Sequence, residues 1–230
     1  MLPSGTPAEL AVPPAGPARL GLVVAPDIAG LRPLFDDLCA RLAAEQGWAV
    51  CAVEPFPGRE DRPAADRDVG SNDDDAVLGD LVAAADLLAD LIADHFAEPT
   101  GAESTGARPI GVLGFCQGGM WALKAAGTGR FARAVAFYGF VRVAWARPGH
   151  AQPLDWLDRP DRGPVLAVVA GRDALVPVAD AELLRSRPGV EVVVYPDAEH
   201  GFAHDPARPT HRPADAADAW RRAVAFLGAA

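Results

Sequence analysis

The chain has 230 residues, half of them hydrophobic, and a formal net charge of −10 at pH 7. This length and composition suffice to bury one large core, so we expect a single domain over residues 1–230. The acidic balance argues against a nucleic-acid partner, because phosphate binding requires clustered cations.

Two further features predict the compartment. No apolar run reaches the eighteen residues of a transmembrane helix, and the first seven residues lack the basic and apolar stretches of a secretion signal. Three cysteines in a domain of this size make no disulfide framework and suit a reducing environment. We therefore expect a cytoplasmic protein without a membrane partner.

The first half of the chain alternates apolar strands with helices. Residues 1–18 are rich in Pro and Gly and hold one candidate edge strand at 8–12. The apolar pattern then predicts strands at 20–25 and 48–53, helices at 31–46 and 73–96, and a long exposed loop at 57–72. Gly47 ends the first helix, and three aspartates at 73–75 complement the dipole of the second.

The second half continues this alternation. Its predicted elements are strands at 110–113, 134–138, 165–170 and 190–195, helices at 120–126 and 214–227, and an irregular segment at 141–161. Uniformly apolar strands that alternate with helices indicate a mostly parallel central sheet with helices on both faces. The predicted fold class is therefore α/β.

The segment Gly114-Phe115-Cys116-Gln117-Gly118-Gly119 is the most informative part of the sequence. It joins a predicted strand to a predicted helix, where a G-x-C-x-G-G segment is typical of a nucleophile elbow with cysteine in place of serine. Glycines relieve the crowding of the sharp turn, which lifts one side chain above the sheet at a helix N-terminus. The free N–H groups there favour a thiolate and then an oxyanion. We therefore predict that Cys116 attacks acyl carbon.

Two more residues complete the chain order of an α/β-hydrolase triad, which is nucleophile, acid, histidine. Asp173 follows the strand that ends at Ala170, and His200 follows the strand that ends at Tyr195. Open α/β sheets place their sites at these carboxyl ends of strands. Residue type, order and position therefore agree on a triad in which Asp173 orients His200 and His200 transfers the protons.

Simpler interpretations stand beside this one. Cys39 and Cys51 are most simply small core residues. Asp173 by itself could cap a helix that begins near Pro177, and His200 could be an ordinary loop histidine.

The remaining histidines offer a weaker alternative. His204 and His211 share a loop with His200 and could form a metal site with Asp205. Because the chain has no paired ligand spacing such as H-E-x-x-H, we expect no metal. His95 fits a favourable charge at a helix C-terminus.

The chain resembles the dienelactone hydrolase family of the α/β-hydrolase superfamily from about residue 20 to residue 227. The motifs that carry the resemblance are the elbow at 114–119, Gly171-Arg172-Asp173 with Val176-Pro177, and Tyr195 through His200-Gly201-Phe202. The resemblance implies an α/β-hydrolase fold, no cofactor, and Cys116, Asp173 and His200 as the catalytic triad. It also implies an oxyanion hole made by the backbone N–H groups of Gln117 and Ile28.

The resemblance further concerns a carboxylate near the thiol. In well-described members a glutamate at the position aligned with Asp27 contacts the resting thiol and helps to convert it to a thiolate when substrate binds. Asp27 is one methylene shorter, and we expect it to lie near Cys116.

Members acting on dienelactone hold the substrate carboxylate with arginines, one of them at the position where this chain has His204. We expect Phe115, Tyr138 and His204 to line the substrate pocket, although either of the first two rings could be plain core. Arginines that could bind a carboxylate instead are Arg59, Arg62, Arg142, Arg172 and Arg208.

The expected activity is hydrolysis of ester or lactone bonds of small molecules through an acyl-thiol intermediate. Two other classes remain, a thiol-based redox or electrophile sensor and a non-catalytic small-molecule binder on the same fold. A resolving cysteine would support the sensor. We expect a monomer, with a homodimer as the alternative.

Overall fold

The computed structural model describes residues 1–67, 70, 72–95, 109–145 and 150–230, and the strands within them form one sheet. The strands are β1 (Ala8–Ala11), β2 (Gly21–Ala25), β3 (Ala49–Val53), β4 (Ile110–Phe115), β5 (Arg133–Phe137), β6 (Val165–Ala170) and β7 (Val190–Tyr195). Their order across the sheet is β1-β3-β2-β4-β5-β6-β7. Only β1 runs antiparallel to its neighbour, β3, at one edge of this described sheet. The mostly parallel sheet and the short N-terminal edge strand are therefore confirmed.

Helices cover both faces of the sheet, as predicted. They are α1 (Pro33–Gln46), α2 (Asp74–His95), α3 (Gln117–Ala126), α4 (Pro153–Leu157), α5 (Asp180–Arg185) and α6 (Pro213–Gly228). One core cluster joins the sheet to α2, α3, α4 and α5, and the other joins it to α1 and α6.

Strand β2 shows why its sequence lacks polar alternation. Val23 and Ala25 pack into the first cluster, and Leu22 and Val24 pack into the second. Because helices cover both faces, each side chain of the strand is buried whichever way it points.

Two expectations about loops are wrong. The segment 141–161 contains α4, which begins at Pro153 and is capped by Asp155, whose carboxylate accepts a hydrogen bond from the Gln152 N–H at 2.7 Å. The loop 57–72 is not exposed throughout. Arg67 is buried against Glu54 because it follows a 3₁₀ turn, Ala64–Asp66, that directs the chain back to the sheet.

The remaining differences lie at the ends of elements. Strand β7 is the other edge of the sheet and is only half-buried, because it has one neighbouring strand. Helix α5 begins at Asp180 and not near Pro177. The predicted core residue Phe96 and the side chain of His95 lie outside the described residues.

Candidate active site

The turn between β4 and α3 holds Cys116 in a backbone conformation that L-residues rarely adopt. Its φ is 56° and its ψ is −118°, which costs about 1–3 kcal/mol relative to an ordinary conformation. A Cβ on Gly114 would lie 2.0 Å from the Gly118 carbonyl oxygen, and one on Gly118 would lie 2.0 Å from that of Ala25. The glycines therefore permit the contacts that hold the strained turn against the end of β2.

We expect Gly118→Ala to destabilise the protein by about 3 kcal/mol, because the new methyl group meets backbone atoms that cannot rotate away. For a chain of this length that corresponds to a fall in Tm of roughly 6–12 °C. The matched control is Gly79→Ala in α2, where a Cβ meets nothing within 4 Å. This control is expected to stabilise by about 0.5–1 kcal/mol. Equal Tm values for the two variants in a thermal melt would contradict the packing described for the turn.

His200 and Asp173 are brought together from two loops at the carboxyl ends of β6 and β7. Asp173 Oδ2 lies 2.8 Å from His200 Nδ1, and Oδ1 accepts hydrogen bonds from the N–H groups of Leu175 and Val176 at 2.8 and 2.9 Å. The carboxylate side chain is 1 % exposed. Asp173 is therefore held by its own loop in the orientation that fixes the His200 ring.

The charge state of His200 follows from these neighbours. Burial lowers its pKa, but the hydrogen bond with Asp173 and the interaction with the Cys116 sulfur outweigh burial and raise the pKa to about 9. Nε2 is buried and has no hydrogen-bond partner of ordinary geometry in the described part of the chain. Asp173 and Cys116 therefore favour the protonated imidazole, and Nε2 has no conventional hydrogen bond on the side opposite Asp173.

Asp27 lies in a second hydrogen-bonded group, together with Arg32, His204 and Tyr138. Its Oδ2 is 2.7 Å from His204 Nε2, and the Arg32 guanidinium donates to both carboxylate oxygens at 2.7 and 3.0 Å. The other ring nitrogen of His204, Nδ1, lies 2.6 Å from the Tyr138 hydroxyl. Within the described residues, the hydrogen bonds of the Asp27 carboxylate therefore go to Arg32, His204 and the Ala29 N–H, and none goes to the Cys116 thiol.

The amino-acid sequence of this chain is similar to those of known proteins. A model of the Dienelactone hydrolase family matches residues 7–230. The chain belongs to this family. A Salmonella typhi protein with the provisional name carboxymethylenebutenolidase is 34% identical over 232 residues, which cover 96% of this chain and 82% of that protein. A protein with the same provisional name from Escherichia coli K12 is 32% identical over 216 residues, covering 90% and 75% of the two chains.

Solved structures agree on the fold of this family member. A crystal structure titled as a provisional dienelactone hydrolase from Klebsiella pneumoniae has a TM-score of 0.77 and 27% identity, and covers 96% of this chain and 92% of that chain. A metagenome-derived lipolytic enzyme matches with a TM-score of 0.67 at 18% identity, over 100% and 99% of the chains. The fold is the α/β-hydrolase fold.

The loop after β2, from Asp27 to Leu31, is held in place by a buried ion pair. Glu54 Oε1 lies 3.7 Å from Arg67 Nη1, Glu54 Oε2 accepts the Leu31 N–H at 2.8 Å, and Arg67 donates to the Ile28 carbonyl at 3.2 Å. The elbow packs on the residues just before this loop, because Gly118 abuts the Ala25 and Pro26 carbonyls. Ile28 and Gln117, the expected oxyanion donors of this family member, thus lie on two segments in direct contact.

The expected pocket residues have different environments. Phe115 is fully buried and stacks on His204 at 4.8 Å between ring centroids, so its side chain belongs to the core beneath the site. Tyr138 is 1 % exposed, and its ring centroid lies 5.1 Å from that of His200. His204 is buried, and its ring centroid lies 4.8 Å from that of Phe115 and 5.8 Å from that of Tyr138. Of the three, Tyr138 has the ring that contacts the His200–Asp173 pair.

Arg208 is a cation beside the site that forms no ion pair with a carboxylate in the described part of the chain. Its Nη1 is buried and has no hydrogen-bond partner in the described residues, and a Cβ on Gly201 would lie 2.1 Å from it. The guanidinium acts on the titration of both His204 and Tyr138. Arg208 therefore places an unpaired positive charge next to the loop of His200.

Sequence reasoning missed Arg32, Glu54 and Arg67. Glu54 could have been found, because it follows the apolar run of β3 directly, at the carboxyl edge of the sheet where this fold places its site. The two arginines carry no such local signal. Their partners, Asp27 and Glu54, are defined only after folding.

The other candidate residues remain outside the site. Cys39 and Cys51 are fully buried, and burial raises their pKa values to about 12 and about 11. Within the described ranges there is no cluster of three or more metal-ligating side chains arranged to hold a metal ion. Nor does any helix in those ranges have the length and apolar character needed to cross a membrane.

Proposed function

We propose that this protein hydrolyses ester or lactone bonds of small molecules, with Cys116 as nucleophile, His200 as proton carrier and Asp173 as its orienting acid. The observation that carries the proposal is the pairing of a strained cysteine at the elbow with the His200–Asp173 hydrogen bond of 2.8 Å. A strained cysteine at the end of a strand, beside a histidine whose Nε2 has no hydrogen-bond partner in the described residues, matches the needs of nucleophilic catalysis.

Acylation begins with the thiolate of Cys116 paired with the imidazolium of His200. The sulfur forms a bond to the carbonyl carbon, and the carbonyl electron pair moves onto oxygen. The N–H groups of Gln117 and Ile28 stabilise this oxyanion, at about 2.7–4 kcal/mol for one such donor. When the carbonyl re-forms, the alkoxide leaves and takes the proton from His200 Nε2.

Deacylation uses the same groups in reverse. Neutral His200 accepts a proton from water, and the resulting hydroxide attacks the thioester carbon. The carbon–sulfur bond then breaks, and the product is the free acid. The enzyme returns to the thiolate–imidazolium pair, so each cycle consumes one water and needs no cofactor.

The hydrogen bonds of Asp27 support a mechanism in which this carboxylate does not remove the proton of the Cys116 thiol. Burial alone would raise the Asp27 pKa, but the hydrogen bonds from His204 and Arg32 hold it well below the usual range. The carboxylate therefore stays ionised and cannot accept the thiol proton. His200, whose pKa is raised by Asp173 and Cys116, takes that part in the proposed mechanism.

The leaving-group chemistry narrows the substrate class. A thiolate leaves a tetrahedral intermediate more readily than an amine does, so an amide substrate would revert to starting material. Esters, enol lactones and thioesters carry better leaving groups. The unpaired Arg208 favours those that bear a carboxylate, because a partly buried guanidinium without an anion binds one strongly.

The test compares two esters that differ in one charge, mono-p-nitrophenyl fumarate and its methyl ester. The wild type is expected to release p-nitrophenol from both, with an acyl group on Cys116 detected by mass spectrometry after acid quenching. The free acid should have the higher kcat/KM, and Arg208→Gln should lower that value about 10–100-fold for the acid alone. Failure to turn over either ester, with no adduct, would contradict the proposed function.

The sensor alternative receives less support from the same structure. A redox switch that works by forming an internal disulfide needs a second thiol that can reach the first. Cys39 on α1 and Cys51 on β3 are both fully buried, and burial raises their pKa values, so neither has the properties of a resolving cysteine.

A further inference from the structure

A continuous chain of hydrogen bonds runs from Arg32 through Asp27 and His204 to Tyr138. The successive contacts measure 2.7 Å from Arg32 to Asp27, 2.7 Å from Asp27 to His204, and 2.6 Å from His204 to Tyr138. Asp27, His204 and Tyr138 are 3, 7 and 1 % exposed. This hydrogen-bond chain joins the loops that follow β2, β5 and β7, and the first and last of these loops also hold Ile28 and His200.

The proton on each link can be assigned. Asp27 is ionised and only accepts, so His204 Nε2 carries a proton and donates it. Burial lowers the pKa of His204 despite the Asp27 bond, so the ring is neutral and Nδ1 has no proton. Nδ1 therefore accepts the hydrogen bond from the Tyr138 hydroxyl. The phenol has one proton, and this proton points at His204.

Tyr138 is the end of the chain nearest the reacting groups. Its backbone φ is 39°, the second positive φ of a non-glycine residue in the described chain after Cys116. Its ring centroid lies 5.1 Å from that of His200, and burial raises its pKa well above the ordinary value even though the Ala203 backbone donates a hydrogen bond to its oxygen. A tyrosine held in a strained conformation beside a catalytic pair indicates a position under functional constraint.

We propose that His204 is a positioning residue for the hydrolysis, because it turns the Tyr138 hydroxyl proton away from the Cys116–His200 pair. The inference rests on the proposed function of that pair. The phenol oxygen then accepts one hydrogen bond from the Ala203 backbone and keeps a second lone pair, so no hydroxyl proton points at the His200 ring and the oxygen dipole stabilises its imidazolium. Asp27 sets the direction of the whole chain, since its negative charge selects the His204 tautomer, as the acid of a triad does.

The groups around His200 determine how the hydrogen-bond chain can affect the pKa of this histidine. Asp173 and Cys116 are the groups that favour the imidazolium, while Phe140 and Tyr138 pack on its ring. Around His204 the charges are Asp27, Arg32 and Arg208. Because Arg32 offsets most of the Asp27 charge, the effect on His200 runs through the direction of the hydroxyl dipole and less through the net charge.

The decisive variant is Asp27→Asn. Arg32 holds the amide oxygen, so the amide N–H faces His204 Nε2 and forces the ring proton to Nδ1. His204 then donates to Tyr138, whose own proton must turn toward the His200 side. We expect the pKa of His200, read by NMR titration of the imidazole, to fall by about one unit from about 9.

The same variant should change the pH dependence of hydrolysis. For an alkyl ester, whose leaving group needs the His200 proton, the alkaline limit of kcat/KM should move to lower pH by the same amount. The control is Asp205→Asn, whose carboxylate lies 3.9 Å from Arg32 but is not part of the hydrogen-bond chain, and it should leave both values unchanged.

A double-mutant cycle separates this effect from simple support of the loop. Tyr138→Phe removes the hydroxyl and should itself lower the His200 pKa, and adding Asp27→Asn should produce no further change. An equal shift from Asp27→Asn in both backgrounds would overturn the proposal, as would no shift at all. If Asp27→Asn fails to fold by circular dichroism, an unchanged His200 pKa in Tyr138→Phe overturns it alone.

The NMR test of the hydrogen-bond chain does not depend on whether the protein hydrolyses esters. The NMR titration of His200 needs no turnover, so it tests the chain even in a protein without esterase activity. Loss of the esterase proposal would appear as inert wild type in the fumarate assay. An active enzyme whose His200 pKa does not change on Asp27→Asn would contradict the role of His204 alone.

Discussion

Cys116→Ala is expected to lower kcat for ester hydrolysis by on the order of 10⁴–10⁶-fold, to the level of water attack assisted by the oxyanion donors. The reason is that alanine keeps the turn and removes the sulfur that forms the acyl intermediate. KM should change little, because the pocket retains its other groups. Steady-state assays with p-nitrophenyl acetate, run beside acid-quenched mass spectrometry, measure both the lost turnover and the lost adduct.

The matched control for this variant is Cys39→Ala, which removes another buried thiol of the same chain. It should reduce stability slightly through a small cavity and leave kcat at the wild-type value. A Cys116→Ala protein that still forms product at the wild-type rate would remove the nucleophile assignment. In that case the acyl-thiol mechanism would fall with it.

Asp173→Asn is expected to lower kcat by about 10⁴-fold while the structure is retained. The amide oxygen can still accept the Leu175 and Val176 N–H groups, so the amide nitrogen faces His200 Nδ1. The ring proton then moves to Nε2, where it blocks acceptance of a proton from water. Loss of the Asp173 charge also removes the main cause of the raised His200 pKa, so this pKa should fall from about 9.

The sign of the pH effect provides a second check on Asp173. A raised pKa means that His200 keeps its proton up to about pH 9 in the wild type, and loses it at lower pH in the variant. The alkaline limit of kcat/KM for an alkyl ester should therefore move to lower pH. Asp197→Asn makes the same substitution at an exposed ion pair with Arg172 and should shift neither kcat nor the limit. Full activity of Asp173→Asn would show that another group orients the ring.

Sequence periodicity predicted most of the fold because its signal is local. The strands β2, β3, β4 and β6 are apolar at each position, and helices on both sides require this. The five-residue helix α4 was missed because its stability comes from packing of Trp156 and Leu157 on the core, and its own sequence has too few turns to show a period.

The elbow was readable from the sequence by itself. A Cβ on Gly114 would collide with the Gly118 carbonyl four residues later, so this demand for glycine acts between neighbours in sequence, whereas Gly118 itself is required by the Ala25 carbonyl at the end of β2. The chain order and strand-end positions of Asp173 and His200 likewise follow from local elements, because parallel strands bring their carboxyl ends to one edge. Composition, periodicity and these spacings determined the fold class and the candidate triad.

The electrostatics around the triad were decided only by the tertiary structure. Asp27 and His204 are 177 positions apart, and their pairing depends on how the loops after β2 and β7 meet above the sheet. The carboxylate expected beside the thiol therefore binds His204 and Arg32, and the expected pocket residue Phe115 lies in the core. Buried charges must find partners, and which partners are within reach is a property of the folded chain, so no local pattern in the sequence could specify them.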